Sequence, residues 1–164
     1  MFKKLFIRNF KSLREVILNL RRINVLIGPP NSGKSNIIDA MAILSGVGDI
    51  YKYARFRAPV DLVYQQERSR EIMISLDDNV IKGVFKDWSL NLYFGNRHYW
   101  SISSPKHYNK IIDIDLGIMV YRFWEDRFGS LESPPLKPPT GENLLGVMLS
   151  DTELRKFVGA TLQL

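Results

Sequence analysis

An α/β fold with a mixed sheet is predicted by three features of the sequence. A short apolar run at residues 23–27 is followed by a glycine-rich stretch, and apolar residues at helical spacing come next over 36–44. Two strand-like segments precede this unit, and a series of short strand-like runs follows it. A strand–loop–helix unit flanked by antiparallel strands is typical of an α/β domain with a mixed sheet.

Residues 1–50 are predicted to hold three strands, a loop and the first helix. Residues 2–8 alternate apolar and basic side chains, and residues 13–20 form a second strand after a polar turn. The continuous apolar run at 23–27 predicts a buried third strand. Gly46 and Gly48 are expected to end the helix.

The rest of the chain is predicted to form a meander, a proline-rich loop and a helical end. Residues 59–66 are compatible with a short helix after Pro59. Four short runs divided by Asp, Asn and Gly turns predict an antiparallel β-meander over 71–103. Residues 118–121 predict a further central strand, residues 130–141 an extended loop with four prolines, and residues 142–164 helical turns.

Composition excludes several kinds of site. The chain of 164 residues is the size of one domain, and without cysteine it forms neither disulfides nor thiolate metal sites. Its two histidines, His98 and His107, lie in a polar region, so a zinc site is not expected. No apolar run approaches the roughly 18 residues of a membrane span, and the N-terminus lacks a signal-peptide core. We therefore expect a cytoplasmic domain without a membrane partner.

The net charge of +6 is concentrated in the first third of the chain. Residues 1–57 contain 11 Lys and Arg against 3 Asp and Glu, whereas the remainder contains 12 against 14. This basic part is compatible with contact to nucleic acid, with attraction of a polyanionic nucleotide, or with solvated strand faces. No recognition helix, zinc finger or RNA-binding aromatic motif selects among these alternatives.

The glycine-rich stretch at 28–35, hereafter the phosphate loop, matches the pattern G-x-x-x-x-G-K-[ST] at every fixed position. Gly28 and Gly33 permit backbone conformations that a side chain would obstruct, so successive N–H groups can surround an anion. Because the two prolines after Gly28 have no N–H, the donors are expected from Asn31 to Ser35. The positive end of the following helix adds to this attraction.

The phosphate loop predicts a site for a nucleoside triphosphate and Mg²⁺. Lys34 is expected to reach the β- and γ-phosphates, and the Ser35 hydroxyl is expected to ligate Mg²⁺. The alternative is a chance glycine-rich turn, but the complete pattern with its flanking strand and helix favours a P-loop NTPase. The predicted nucleotide-binding residues of this segment are Gly28, Asn31, Ser32, Gly33, Lys34, Ser35 and Asn36.

The acidic strand end that completes a P-loop hydrolase is not evident in the sequence. The nearest candidate, residues 110–115, has too short an apolar run and no glutamate after it. The guanine-reading pattern Asn-Lys-x-Asp is also missing, because residues 109–113 contain one residue too many. ATP is therefore favoured over GTP, no catalytic residue is assigned, and we expect the chain to be the N-terminal part of a longer protein.

The segments around the phosphate loop resemble a known family. The turn Arg-Asn-Phe-Lys-Ser at 8–12, and Asn-Ser-Gly-Lys-Ser-Asn-Ile-Ile-Asp-Ala at 31–40, are similar to the N-terminal lobe of the RecF/SMC/OLD group of ABC-type ATPases. The similarity is strong over residues 1–45 and weaker near 120–123 and 141–144.

This resemblance implies that residues 1–164 are a single N-terminal nucleotide-binding lobe of an ABC-type ATPase head. Such heads bind ATP between two copies, and a C-terminal lobe supplies the signature motif, the acidic Walker B strand and a switch histidine. Members of the group usually act on DNA, so DNA and a homodimer of heads are the implied partners. The resemblance also implies nucleotide contacts by Lys11 and Ser12, whereas Gln65 and Gln66 precede the meander and do not match the group's Mg²⁺-binding glutamine.

Two other interpretations stay open on the sequence. The chain can be a module without nucleotide chemistry that binds DNA or a protein through its basic N-terminal face. A P-loop kinase of a small molecule is the weaker alternative, because two antiparallel strands before the loop and a long meander after it do not suit a parallel kinase core. As an ATPase lobe, the chain alone is expected to bind ATP with negligible turnover.

Overall fold

The computed structural model describes residues 1–46, 50, 54–104 and 107–121, together with 147, 150 and 152. The chain divides into two compact units, Met1–Ile118 and Met119–Leu164. The predicted proline-rich loop at 130–141 lies outside the described residues, as does the helical segment at 142–164 except for 147, 150 and 152, which are helical. The extent of the nucleotide-binding lobe stays a prediction.

A seven-stranded antiparallel sheet dominates the first unit. Its strand order is β2-β1-β3-β4-β5-β6-β7, and consecutive strands of the meander are neighbours in the sheet. The strands are β1 (Lys4–Phe10), β2 (Leu13–Asn19), β3 (Ile72–Leu76), β4 (Asn79–Lys86), β5 (Ser89–Phe94), β6 (Arg97–Ser104) and β7 (His107–Lys110). Strands β3 to β6 occupy the segment where the sequence predicts a meander.

The predicted mixed sheet is wrong for the described part of the chain, because every strand pair in it is antiparallel. The mixed character depended on residues 23–27 entering the sheet as a buried strand. These residues are not in a strand, and Ile23, Val25 and Ile27 are 80%, 75% and 90% exposed. With no neighbouring strand to supply hydrogen bonds, the apolar run has nothing to pack against.

The predicted central strand at 118–121 is also absent from the structure. These residues are described, but none of them is assigned to a strand. The Met119 side chain is exposed, which a central strand would not permit. Apolar sequence alone therefore overestimated strand content here, since a strand also needs a partner for its backbone groups.

One α-helix, α1 (Lys34–Leu44), packs against the sheet at β1 and β3. It ends at Ser45, whose amide donates to the Met41 carbonyl at 2.9 Å, and left-handed Gly46 follows. Residues 59–66 form two short 3₁₀ helices, Pro59–Leu62 and Tyr64–Gln66, in place of the predicted short helix. The fold thus presents the phosphate loop at the N-terminal end of α1.

The core lies on one face of the sheet. Strand β3 alternates buried and half-buried positions, which places Ile72, Ile74 and Leu76 on the same face. Leu5 and Ile7 of β1 are paired with Leu76 and Ile74 across the ladder and are equally buried. Burial of apolar side chains on a shared face is the main force that holds α1 and the sheet together.

A β-bulge in β6 brings two aromatic side chains into this core. Leu92 pairs with Trp100 and Tyr93 pairs with His98, so Tyr99 is the extra residue between them. Tyr99 and Trp100 are both fully buried, which regular alternation would not allow for adjacent residues. The Tyr99 hydroxyl donates to the Ile43 carbonyl of α1 at 3.2 Å, and this bond links the sheet to the helix.

Candidate nucleotide-binding site

The phosphate loop turns into α1 at a left-handed glycine. Gly33 has φ 90° and ψ 0°, and the amides of Asn36 and Ile37 both donate to its carbonyl, at 3.0 and 3.2 Å. The amides of Lys34 and Ser35 precede these first helical bonds and have no backbone acceptor within the described chain. The helix start therefore provides backbone donors of the kind that an anion needs.

Gly33 is also a point of close approach to the β1–β2 hairpin. A Cβ at this position would lie 2.8 Å from Leu13 Cδ2 and 3.3 Å from Ser12 Oγ. The Asn36 side-chain amide donates to Ser12 Oγ at 2.7 Å, so the hairpin is tied to the first turn of α1. The hairpin thereby places Ser12 beside the phosphate loop.

The Lys34 ammonium is held inside the phosphate loop. Its Nζ donates to the carbonyls of Gly28 at 2.7 Å and Pro29 at 2.6 Å, and to Ser32 Oγ at 3.0 Å. These three acceptors use all three N–H donors of the ammonium. A phosphate oxygen carries negative charge and is a stronger acceptor than a neutral carbonyl, so an anion can replace these contacts.

A cleft of about 370 Å³ opens at the phosphate loop. Its volume lies within the range of small-molecule sites, roughly 300–1,000 Å³. The described residues that line it are Ser12, Asn31, Ser32, Gly33, Lys34, Ser35, Asn36 and Arg55. The structure therefore brings together seven of the nine residues predicted to bind nucleotide, and the donor set suits a polyphosphate.

Gly28 lies at the start of the phosphate loop rather than in the lining of the cleft. A Cβ on Gly28 would meet Ser32 Oγ at 3.1 Å and the Lys34 Nζ at 4.0 Å. The position favours glycine because the loop folds back over it, although its φ is not in the left-handed region. Its contribution is to the closed shape of the loop and, through its carbonyl, to the position of Lys34.

Arg55 is a residue of the cleft that the sequence did not single out. It has φ 40°, its side chain is about half exposed, and its guanidinium Nη2 lies 3.7 Å from Asp39 Oδ1. It follows α1 by about ten residues and belongs to no motif, so its position at the phosphate loop depends on tertiary structure. The signal available in the sequence was that residues 52–57 contain three basic side chains.

Lys11, which the family resemblance predicts to contact a nucleotide, makes contacts with other parts of the protein. Its ammonium makes an ion pair with Asp39 of α1 and donates to the carbonyls of Ala54 and Arg55, the latter at 2.8 Å. Its side chain is 11% exposed, and that of Asp39 is fully buried. Lys11 is also missing from the lining of the cleft. Its contacts hold the β1–β2 turn, α1 and residues 54–55 together, and its contact with a nucleotide stays a prediction.

The described residues offer few ligands for Mg²⁺. The exposed Ser35 hydroxyl lies in the cleft, but no Asp or Glu is among the lining residues that the structure describes. Likewise, no group of three or more potential metal ligands occurs in the described part of the chain. Mg²⁺ retains several waters in protein sites and takes oxygens from substrate phosphates, so Ser35 fits as a partial ligand.

The segment at 110–115 is not an acidic strand end beside the phosphate loop. Strand β7 ends at Lys110 and lies at the opposite edge of the sheet from β2 and β1. Asp113 follows it, is exposed, and pairs with Lys110. Residues 110–115 already matched an acidic strand end poorly in sequence. Their position at and after the end of β7 excludes them from the cleft at the phosphate loop.

A second cavity of about 480 Å³ shares Ser12 and Arg55 with the cleft. Gln65 and Gln66 line it, and both have left-handed backbones with φ 55°. They lie in the second 3₁₀ helix, before β3, as the sequence order requires. Neither glutamine is among the residues that line the cleft at Ser35.

The loop, the helix start and the cleft define this chain as a P-loop NTPase. A family model described as an AAA ATPase domain matches residues 1–128, and the chain belongs to that family. An OLD nuclease from Thermus scotoductus (strain ATCC 700910 / SA-01) is 31% identical over 87 residues, which cover 52% of this chain and 16% of that nuclease. The chain thus matches a small part of a much longer relative. The predicted relationship to AAA-annotated, OLD-like ATPases is confirmed.

Among the helices that the structure describes, none has the length and apolar character needed to cross a bilayer.

Proposed function

We propose that this chain is the ATP-binding lobe of an ABC-type, RecF/SMC/OLD-like ATPase that acts on DNA. The observation that carries the proposal is the phosphate loop beside an open cleft. Gly33 is left-handed there, and the amides of Lys34 and Ser35 have no backbone acceptor among the described residues. Membership of the AAA ATPase domain family supports nucleotide binding. The name of the OLD nuclease relative supports an association with nucleic acid.

In this proposal the triphosphate of Mg·ATP binds at the N-terminal end of α1. The amides of the first helical turn donate to phosphate oxygens, and Lys34 exchanges its carbonyl acceptors for the β- and γ-phosphates. Ser35 contributes a hydroxyl to Mg²⁺, whose chemistry is to neutralise charge on the phosphates. Arg55 and Ser12 lie at the edge of the cleft and are available to a bound nucleotide.

Hydrolysis in this proposal needs groups from outside the described residues. The cleft is lined by no described carboxylate that completes a metal site or orients water. The exposed apolar segment at 23–27 directly precedes the phosphate loop and supports packing against a further lobe. A homodimer of heads, as the family resemblance implies, would supply the remaining groups across two copies.

Binding of a fluorescent ATP analogue in the presence of Mg²⁺ tests the proposal. We expect Lys34→Ala to weaken binding by tenfold or more, because it removes a charge-assisted set of phosphate contacts worth roughly 1.5–3 kcal/mol. Lys86→Ala is the matched control, since Lys86 is an exposed lysine at the end of β4.

Equal affinity of the wild-type chain and Lys34→Ala would count against nucleotide binding at this site. It would favour the alternative of a nucleotide-independent module for DNA or protein. Rapid ATP hydrolysis by the purified 164-residue chain would contradict the proposed need for further groups.

A further inference from the structure

A cluster of three arginines lies apart from the cleft at the phosphate loop. A cavity of about 420 Å³ is lined by Arg8, Asn9, Arg14, Glu15 and Arg70. None of these residues lines the cleft at the phosphate loop. Arg8 comes from β1, Arg14 from β2, and Arg70 from the segment that leads into β3. We call Arg8, Arg14 and Arg70 the arginine cluster.

Arg8 carries a buried donor without an acceptor. Its Nε is buried and has no hydrogen-bond partner in the described part of the chain. Glu15 is its cross-strand neighbour in the β1–β2 ladder, but no ion pair forms between them. A buried donor left unsatisfied is costly, and more so in a charged group, so negative charge close to this guanidinium would be stabilising.

The other charges of the cavity leave it net positive. Arg70 is partly neutralised, because its Nε donates to the Glu67 carboxylate, and hydrogen bonds from Arg70 and Ser69 lower the pKa of Glu67. Glu15 is the single acid among the lining residues that the structure describes, against three arginines. The Asn9 side-chain amide already donates to the Glu71 carbonyl at 2.9 Å.

An exposed aromatic side chain lies at the same end of the sheet as the β1–β2 hairpin. Trp88, in the β4–β5 turn, is 75% exposed, and the Arg68 guanidinium carbon lies 4.5 Å from its ring centroid. Arg68 is two residues from Arg70, and the β4–β5 turn lies at the same end of the sheet as the β1–β2 hairpin. An exposed tryptophan with an arginine guanidinium over its ring provides an aromatic surface of the kind that stacks on a nucleobase.

We propose that the arginine cluster binds a backbone phosphate of a nucleic-acid single strand, and that Trp88 stacks on one of its bases. The planar guanidinium fork pairs well with phosphate oxygens, and a phosphate in the cavity would add negative charge beside the guanidinium whose Nε lacks an acceptor. The adjacent aromatic ring favours a nucleic acid over free phosphate, because a free anion makes no use of it. This site does not depend on nucleotide binding at the phosphate loop.

Fluorescence anisotropy of a labelled single-stranded oligothymidylate tests the proposal in the full chain carrying Lys34→Ala. The Lys34→Ala background removes the main cation of the phosphate loop. The result of the oligonucleotide assay is therefore independent of whether the chain binds ATP. We expect Arg14→Gln with Arg70→Gln to weaken binding at least tenfold and to reduce the salt slope by about 0.7, the value for one neutralised phosphate on a single strand. Trp88→Ala should weaken binding and leave the salt slope unchanged.

Arg97→Gln is the matched control, because Arg97 is an exposed arginine at the opposite end of the sheet. Circular dichroism of the double variant checks that the exposed Arg14 and the half-buried Arg70 are replaced without unfolding. If Arg97→Gln weakens binding as much as the double variant, the site is overturned in favour of diffuse charge attraction. If inorganic phosphate binds in an arginine-dependent way but the oligonucleotide does not, or if neither binds, assignment to nucleic acid is overturned.

Discussion

Gly33 shows how one residue joins the phosphate loop to the rest of the fold. Its left-handed backbone starts α1, and its missing Cβ permits contact with Leu13 and Ser12 of the β1–β2 hairpin. The glycine of the motif therefore serves the packing of the hairpin as well as the shape of the loop. The pattern in the sequence predicted only the second of these.

Replacement of Gly33 by alanine is expected to destabilise the fold by about 2–4 kcal/mol. The left-handed backbone costs roughly 1–2 kcal/mol for a residue with a Cβ, and the close contact with Leu13 adds to it. Urea unfolding measures the change. Gly95→Ala is the control, because Gly95 also has a positive φ but has nothing within 4 Å of its Cβ position. If both variants lose the same free energy of unfolding, the contact between residue 33 and the hairpin does not contribute to stability.

The ion pair between Lys11 and Asp39 gives both residues a structural role that needs no ligand. Both belong to the segments that resemble the family. Asp39 is fully buried on α1, and a buried carboxylate requires a partner. Lys11, in the β1–β2 turn, supplies that partner and also bonds to the backbone of residues 54–55. The pair links three segments that meet at the cleft, so its loss should disturb the position of Arg55.

Tyr99 is expected to make the stability of the fold sensitive to alkaline pH. Burial raises the pKa of its hydroxyl above the ordinary value of 10.0. The folded chain then keeps a proton that the unfolded chain loses, so stability falls as the pH rises above about 10. Urea midpoints measured from pH 8 upward should fall less steeply in Tyr99→Phe than in the wild type. Parallel curves would contradict this role.

Tyr99→Phe should also lose about 1 kcal/mol at neutral pH, since the hydrogen bond to the Ile43 carbonyl is removed. The loss of unfolding free energy at neutral pH and the dependence of the urea midpoint on alkaline pH are separate quantities. Both are obtained from the same set of unfolding curves.

At the scale of the elements, the exposed segment at 23–27 is the main departure from the predicted fold. Its apolar residues satisfy every local criterion for a buried strand. Antiparallel pairing of β1 with both β2 and β3 nevertheless leaves β1 no free edge for it. A strand forms only where a neighbour can accept its backbone hydrogen bonds, and this requirement is invisible in the segment itself.

The double variant Ile23→Thr with Ile27→Thr is expected to change the free energy of unfolding by no more than about 0.5 kcal/mol, as exposed substitutions usually do. Ile74→Thr in β3 is the contrasting variant, because Ile74 is fully buried and should lose about 2–4 kcal/mol. Chemical denaturation compares the two. A loss in the double variant as large as that of Ile74→Thr would mean that the segment is buried in solution.

At the scale of the whole molecule, the first compact unit contains nearly the complete described core. Every buried apolar side chain in the described part of the chain lies within Met1–Ile118, except Val120. The seven strands and α1 also fall inside this unit. The contacts that determine stability are therefore expected within the first 118 residues.

A fragment of residues 1–118 is expected to unfold in a single cooperative urea transition with an m-value of about 1–3 kcal/mol/M, as for a small domain. Fluorescence of the buried Trp100 and far-UV circular dichroism should report the same midpoint. Transitions that differ between the two probes, or a fragment without any transition, would show that residues beyond 118 are needed for the fold.

Local features of the fold were predictable because their causes are local in the chain. The start of α1 follows from Gly33 and the helical spacing after it, and the turns of the meander follow from their Asp, Asn and Gly residues. The candidate site was predictable for the residues of one contiguous loop. Arg55 and the arginine cluster were not, because residues distant in the sequence meet only when the hairpin, the helix and β3 pack together.

By itself, the sequence determined that this chain carries a phosphate loop at the head of a helix, since that pattern needs only neighbouring residues. The tertiary structure decided which strands form the sheet, that Lys11 pairs with Asp39, and that residues 23–27 stay exposed. The physical reason is that hydrogen-bond partners, burial and charge pairing are properties of surfaces brought together from separate segments. No single segment contains the information about what it will meet.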